Sequence, residues 1–217
     1  MYRCFYNAQA NAISEIESEV VESNFAEKYT IGDYLSNDIR TGTIPTDTPE
    51  FDEAEKSVKD RLSSFINNKG TKSVDHFHKL LGKTMWENVG MARNAKGLET
   101  AISDIRQIRE DFYKDVFVPG DLNEFNPELE KATRVADFLE LGELFAIDAL
   151  NRNESCGGHF REESVELDGE QKGEALRNDK DYAYSAAWEW TGDAGKPTLN
   201  KEELEFNDIE LKQRSYK

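Results

Sequence analysis

N-A-K-G-L-E-T-A-I-S-D-I-R-Q-I-R-E-D-F-Y-K-D-V, running from Asn94 to Val116, carries the clearest periodic pattern in the chain. Leu98, Ala101, Ile102, Ile105, Ile108 and Phe112 recur at three- and four-residue intervals, the spacing of one helical face. Arg106 and Arg109 fall off that stripe, and the spacing predicts a solvated face on which they pair with Asp104 or Glu110. Pro119-Gly120 ends the pattern. Upstream, Ser73 is a good N-cap for a helix through Val74, Phe77, Leu81, Met85 and Val89. Before that, Phe51, Ala54, Val58, Leu62 and Phe65 form another stripe, with Gly70 expected as its left-handed cap. Downstream, Pro127 suits a first helical turn. Leu129, Ala132, Val135, Leu139, Gly142, Ala146 and Ala149 then continue a long helix whose small residues allow close packing. The expected helices are Asp52–Asn68, Ser73–Met91, Ala95–Val116 and Glu128–Asn151. Short links between sequential helices favour antiparallel neighbours, so the reading is mainly α: an antiparallel bundle of three to four helices.

Around this bundle the chain divides into an atypical, helix-prone leader (1–28), a Gly/Pro-broken connector (29–50), the bundle (51–157) and an extended tail (158–217). In the leader, Ala8, Ala12, Ile16 and Val20 follow helical spacing. In the tail, Tyr182, Tyr184, Trp188 and Trp190 alternate, which is the pattern of a strand with one aromatic face. Gly192–Pro197 reads as a turn. Leu204–Phe206 and Ile209–Leu211 read as short strands, so the tail is expected to be irregular or hairpin-like.

Composition narrows the function classes. Among 217 residues, 44 acids against 27 bases give a net charge of −17. Such a surface repels phosphate backbones and argues against nucleic-acid binding. No apolar run reaches the roughly 18–20 residues of a membrane span. Two cysteines, Cys4 and Cys156, make no disulfide framework. His76 and His78 sit two residues apart on a helix and point away from each other, so one ion cannot readily hold both. Cys156 and His159 share a loop and could form a nucleophile pair, but nothing supplies an orienting third group. There is no G-x-G-x-x-G and no G-x-x-x-x-G-K-[ST], so the chain lacks a phosphate-cradling loop.

One stretch stands apart: N-R-N-E-S-C-G-G-H-F-R-E-E, Asn151 to Glu163. It gathers charged and imidazole side chains around a Gly157-Gly158 break at the end of the last long helix. Arg161 follows that break and is expected to leave the helix and turn toward another surface. This stretch resembles the E-S-R-G-x-H-x-R-E-D signature of succinate dehydrogenase and fumarate reductase flavoprotein subunits. Met85–Arg93, with Gly97-Leu98 after it, is similar to that family's M-x-x-x-V-G-x-x-R helix and later G-L. Glu140–Leu144 and Ala149-Leu150 resemble the next helix. Arg177-Asn178-Asp179 with Tyr182 is similar to its R-D-D-x-x-[WF], and Gln213–Tyr216 to its final R-x-Y. Gly157-Gly158 and Cys156 replace the commoner R-G-A.

The resemblance implies the C-terminal helical domain and tail of an oxidoreductase subunit that interconverts succinate and fumarate. It covers about the last third of such a subunit. The family's FAD-binding domain and its substrate arginines and histidines have no counterpart here, and the N-R-L-G-x-x-[SA] segment expected just before Tyr29 is missing. The expectation is therefore no cofactor, metal or catalytic residue in this chain, and FAD in the complete subunit. Glu154, Ser155, His159 and Arg161 carry over as motif residues with packing or interface roles. The implied partners are the flavin-domain portion of the same subunit and the iron–sulfur subunit. The implied location is cytoplasmic, peripheral to the inner membrane through partner subunits. Two other readings remain at this point: an acidic helical interaction module, and the C-terminal domain of an L-aspartate oxidase-like flavoprotein.

Overall fold

A computed structural model describes residues 42–167, 172–192 and 196–205. The expectations for the leader, most of the connector, Ile209–Leu211 and Gln213–Tyr216 lie outside these residues. Four long helices occur among the described residues: α1 (Pro49–Asn67), α2 (Val74–Asn88), α3 (Ala95–Asp115) and α4 (Pro127–Asn151). A single-turn helix, α5 (Asp179–Tyr182), precedes an antiparallel hairpin of β5 (Tyr184–Glu189) and β6 (Thr198–Glu203). The chain divides into two compact units, with the break inside α1 between Asp60 and Arg61.

Local chemistry sets the helix starts. Ser73 Oγ accepts from the His76 N–H at 3.3 Å, Asn94 Oδ1 from Gly97 at 2.8 Å and Asn126 Oδ1 from Leu129 at 3.1 Å. Each satisfies one of the N–H groups that a helix leaves without a partner at its first turn. Pro127 begins α4, where its missing N–H costs nothing.

Two short parallel pairs fix how the helices run. β1 (Lys72–Ser73), leading into α2, pairs with β3 (Val116–Phe117), leaving α3. β2 (Ala92–Arg93), leaving α2, pairs with β4 (Phe160–Arg161), which follows α4. The start of α2 thus lies beside the end of α3, and the ends of α2 and α4 lie together. So α3 runs antiparallel to both. Their apolar faces close on Leu98, Ala101, Ile105, Phe112, Ala132, Leu139 and Ala146, all fully buried. Phe112 anchors one end, with the rings of Phe65 and Phe77 at 5.7 and 5.4 Å.

Several expectations change. The α1 stripe enters the core only at its end: Phe65 is buried and Leu62 and Ile66 are partly buried, while Phe51 and Val58 remain exposed. Gly70 is not a left-handed cap, because its φ is not positive. A side chain there would instead collide with the Asp115 and Val116 backbone, since Thr71 N–H donates to Asp115 O at 3.0 Å beside it. Arg106 and Arg109 have a partner outside the expected pair of Asp104 and Glu110. Both reach across to Glu143 of α4, whose carboxylate is fully buried. The strand expected at Leu204–Phe206 lies earlier, at Thr198–Glu203, in register with Tyr184–Glu189. Tyr182 closes α5 rather than opening the strand. Of the four alternating aromatics, Tyr184 and Trp188 are buried, whereas Trp190 is exposed.

Candidate functional site

Where α4 stops, the chain must satisfy its last carbonyls and turn back over the bundle. Cys156 and His159 exchange backbone hydrogen bonds of 2.9 and 3.1 Å, and Gly157 takes a φ of +60°. That conformation strongly favours glycine and gives a hairpin two residues wide. The Gly-Gly break therefore makes a tight turn. It delivers His159 and Arg161 back onto the helix they have just left.

Arg161 is 3% exposed. Its Nη1 donates to the carbonyls of Ala149, Leu150 and Arg152 at 3.0, 3.2 and 3.3 Å, and its Nε donates to Glu163 at 3.1 Å. The expectation that it faces another surface is corrected: the guanidinium caps α4. A cation suits that end, where unpaired carbonyls gather the negative pole of the helix dipole. Arg93 does the same for α2, its Nε donating to Val89 O and Gly90 O at 3.1 and 2.9 Å. Glu163 supplies the opposite charge at the opposite pole, accepting from the first N–H of α3 at Ala95. Burial works against its charge, but that N–H and Arg161 outweigh it and hold the carboxyl below its ordinary value. Three helix ends are thus tied by one segment.

His159 sits at the centre, almost fully buried. Its Nδ1 lies 2.8 Å from Arg93 Nη1 and its Nε2 2.8 Å from the Arg152 carbonyl. A guanidinium can only donate and a carbonyl can only accept, so the ring is neutral, with its proton on Nε2. Burial and the surrounding arginines push its pKa down to about 4, against the opposing pull of the Arg152 carbonyl. Ser155 Oγ accepts from Arg161 N–H at 2.9 Å and donates to its carbonyl at 3.2 Å.

The tail locks on through Arg152 and Glu154, which pair at 2.8 Å with both side chains buried. Arg152 also donates to the carbonyls of Tyr182 and Tyr184 and lies 5.0 Å from the Tyr184 ring centroid. Glu154 accepts from Asn178 N–H at 2.9 Å. Trp188 Nε1 donates to Asp148 of α4 at 2.8 Å. The four residues singled out from the sequence, Glu154, Ser155, His159 and Arg161, thus lie in one buried cluster. Sequence reasoning missed the parts played by Arg93, Arg152, Glu163 and Glu143. Arg152 follows directly on the end of α4 and Arg93 lies five residues beyond the end of α2, and an arginine just past a helix end is the available signal for one that turns back toward it.

This cluster suits structural work. Cys156 has its thiol pKa raised by burial, and the His159 ring is already engaged on both nitrogens, so no activated nucleophile results. No group of three or more potential metal ligands occurs among the described residues. The described residues also do not fit a flavin: no strand runs through a glycine-rich turn into a helix, and the buried guanidiniums serve helix ends and the tail. No described helix is long and apolar enough to cross a membrane.

The family profile "Fumarate reductase flavoprotein C-term" matches residues 78–216, a span that includes the entire cluster. The chain belongs to this family. The fumarate reductase flavoprotein subunit of Helicobacter pylori strain 26695 is 26% identical over 182 residues, covering 83% of this chain and 24% of that protein. The chain therefore spans about a quarter of the length of such relatives. A solved quinol–fumarate reductase containing menaquinol shares the fold, with a TM-score of 0.64 and 21% identity over 79% of this chain and 28% of its own. Adenosine-5-phosphosulfate reductase in complex with sulfite shares it too, with a TM-score of 0.57 and 16% identity over 82% of this chain and 28% of its own. The fold alone therefore does not assign a substrate. The family match favours the succinate dehydrogenase/fumarate reductase reading over the interaction-module and L-aspartate oxidase readings.

Proposed function

We propose that this chain serves a succinate- and fumarate-interconverting flavoprotein as its C-terminal domain, supplying scaffold and contact surface and no reacting group. The observation that supports this most is the E-S-C-G-G-H-F-R-E-E segment. It lies inside the family span, and its conspicuous side chains are engaged in holding helix ends and the tail. In the complete subunit FAD supplies the redox chemistry, bound outside the residues described here. The remaining flavin-binding portion and an iron–sulfur subunit are the partners, and those subunits carry any membrane association.

The test is substrate choice in the assembled protein. The chain is tagged in its host, purified with whatever it retains, and assayed with an artificial electron acceptor. Succinate oxidation with fumarate reduction is expected. L-Aspartate oxidation instead would move the chain to the aspartate oxidase branch. A pure, flavin-free chain with neither activity would favour a separate interaction module.

A further inference from the structure

Arg93 differs from the two other arginines of the cluster. Arg152 and Arg161 each hold a carboxylate, Glu154 at 2.8 Å and Glu163 at 3.1 Å. Arg93 is half-buried, and no Asp or Glu lies within salt-bridge distance of it among the described residues. Its Nε and Nη1 are engaged, while its Nη2 has no hydrogen-bond partner there. Every other described arginine, Arg61, Arg106, Arg109, Arg134, Arg152, Arg161 and Arg177, pairs directly with a carboxylate, whereas Arg93 feels only the longer-range attraction of Asp148.

Its surroundings are also unusual. Arg93 Nε sits on the Val89 and Gly90 carbonyls, and Gly90 packs against the Trp86 carbonyl one turn earlier. Trp86 is 84% exposed and Met91 88% exposed. Tryptophan, methionine and arginine are the residue types enriched at the centres of protein interfaces, whereas acids are depleted there.

We propose that Trp86, Met91 and Arg93, at the end of α2, form a docking surface for an apolar patch carrying one carboxylate on the remaining part of the flavoprotein subunit. This rests on the functional reading above. The carboxylate completes Arg93, and burial of the Trp86 and Met91 side chains supplies the apolar contact. The remaining part is the occupant because a relative carries the matching segment as about a quarter of one longer polypeptide, which keeps the rest at high effective concentration. The apolar stripe of Phe138 and Phe145 on α4, also exposed, offers no such charge complement.

The experiment places a photo-reactive amino acid at Trp86 and, as a control, at exposed Phe125 in the full chain within its host. Linkage from position 86, and not 125, to the FAD-binding polypeptide is expected. In binding assays against that polypeptide, Trp86→Ala should weaken association at least about tenfold. Met91→Glu should weaken it further than Met91→Lys, because a glutamate beside Arg93 competes with the partner's carboxylate. None of the three should alter the melting of the chain, since these side chains are exposed. If the flavoprotein co-purifies but position 86 stays unlinked, the docking surface is wrong and the functional reading stands. Linkage to a flavin-free subunit also overturns it. Absence of any flavoprotein partner overturns both.

Discussion

Arg161 and His159 show how much a single side chain carries here. Replacing Arg161 by alanine removes one buried guanidinium from three helix carbonyls and from Glu163. The expected loss is about 1–3 kcal/mol in denaturant melting, the cost of leaving buried carbonyls unsatisfied; Glu163 is 40% exposed and keeps the Ala95 N–H, so no buried charge is stranded. Arg161→Lys should recover only part of it, since an ammonium cannot reproduce the planar fork. Equal stability of all three proteins would mean the cap contributes nothing. His159 predicts a pH dependence whose sign follows from its neutral native form. The folded ring resists protonation down to about pH 4, whereas an unfolded histidine takes a proton near 6.5. Between those values the unfolded chain binds more protons, so stability is held above the unfolded pKa and lost as pH falls through the folded one. The effect is on the order of 3 kcal/mol. Urea midpoints of wild type should drop more between pH 7 and about 4 than those of His159→Gln, whose amide cannot titrate. Parallel pH profiles would contradict the neutral, doubly bonded ring.

At the scale of elements, two glycines separate close approach from tight packing. Gly70 faces backbone at Asp115 and Val116, which cannot move aside, so Gly70→Ala should destabilise by more than about 2 kcal/mol. A Cβ added at Gly142 would come within 3.3 Å of the ends of the Leu81 and Met85 side chains, which can yield. Gly142→Ala should stay within about 1 kcal/mol of wild type, where helix propensity offsets crowding, while Gly142→Leu should cost about 1–3 kcal/mol. Thermal melts of the three variants decide this. The helices themselves were readable because stripes and caps agree: Ser73, Asn94 and Pro127 stand at their starts as the sequence suggested. The second hairpin strand was not. β6 is T-L-N-K-E-E and mostly exposed, so it carries no apolar alternation, and only its pairing with β5 makes it a strand. The cluster was half readable. The sequence shows which residues crowd into Asn151–Glu163. It cannot show that Arg93, 66 positions before His159, meets that ring, because that contact depends on how α2 and α4 end side by side. Glu143 was hidden for a similar reason: its arginine partners lie on another helix.

For the whole molecule, the cluster makes the tail integral to the bundle. Arg152 holds the Tyr182 and Tyr184 carbonyls, and Trp188 reaches back to Asp148. Buried side chains on either side of residue 158 therefore join the tail to the bundle. The chain is strongly acidic, has one described arginine without a paired carboxylate, and spans about a quarter of the length of relatives it matches; these observations motivate the proposed docking surface. On the proposed function, this domain supports flavin chemistry without holding the flavin. The direct measurement is the flavin-to-protein ratio, with succinate-dependent dye reduction, for the chain purified alone and after gel filtration with the flavin-binding polypeptide. No flavin and no activity are expected alone, and both in the complex. Stoichiometric flavin retained by the chain alone, or succinate oxidation by it unaided, would contradict the account.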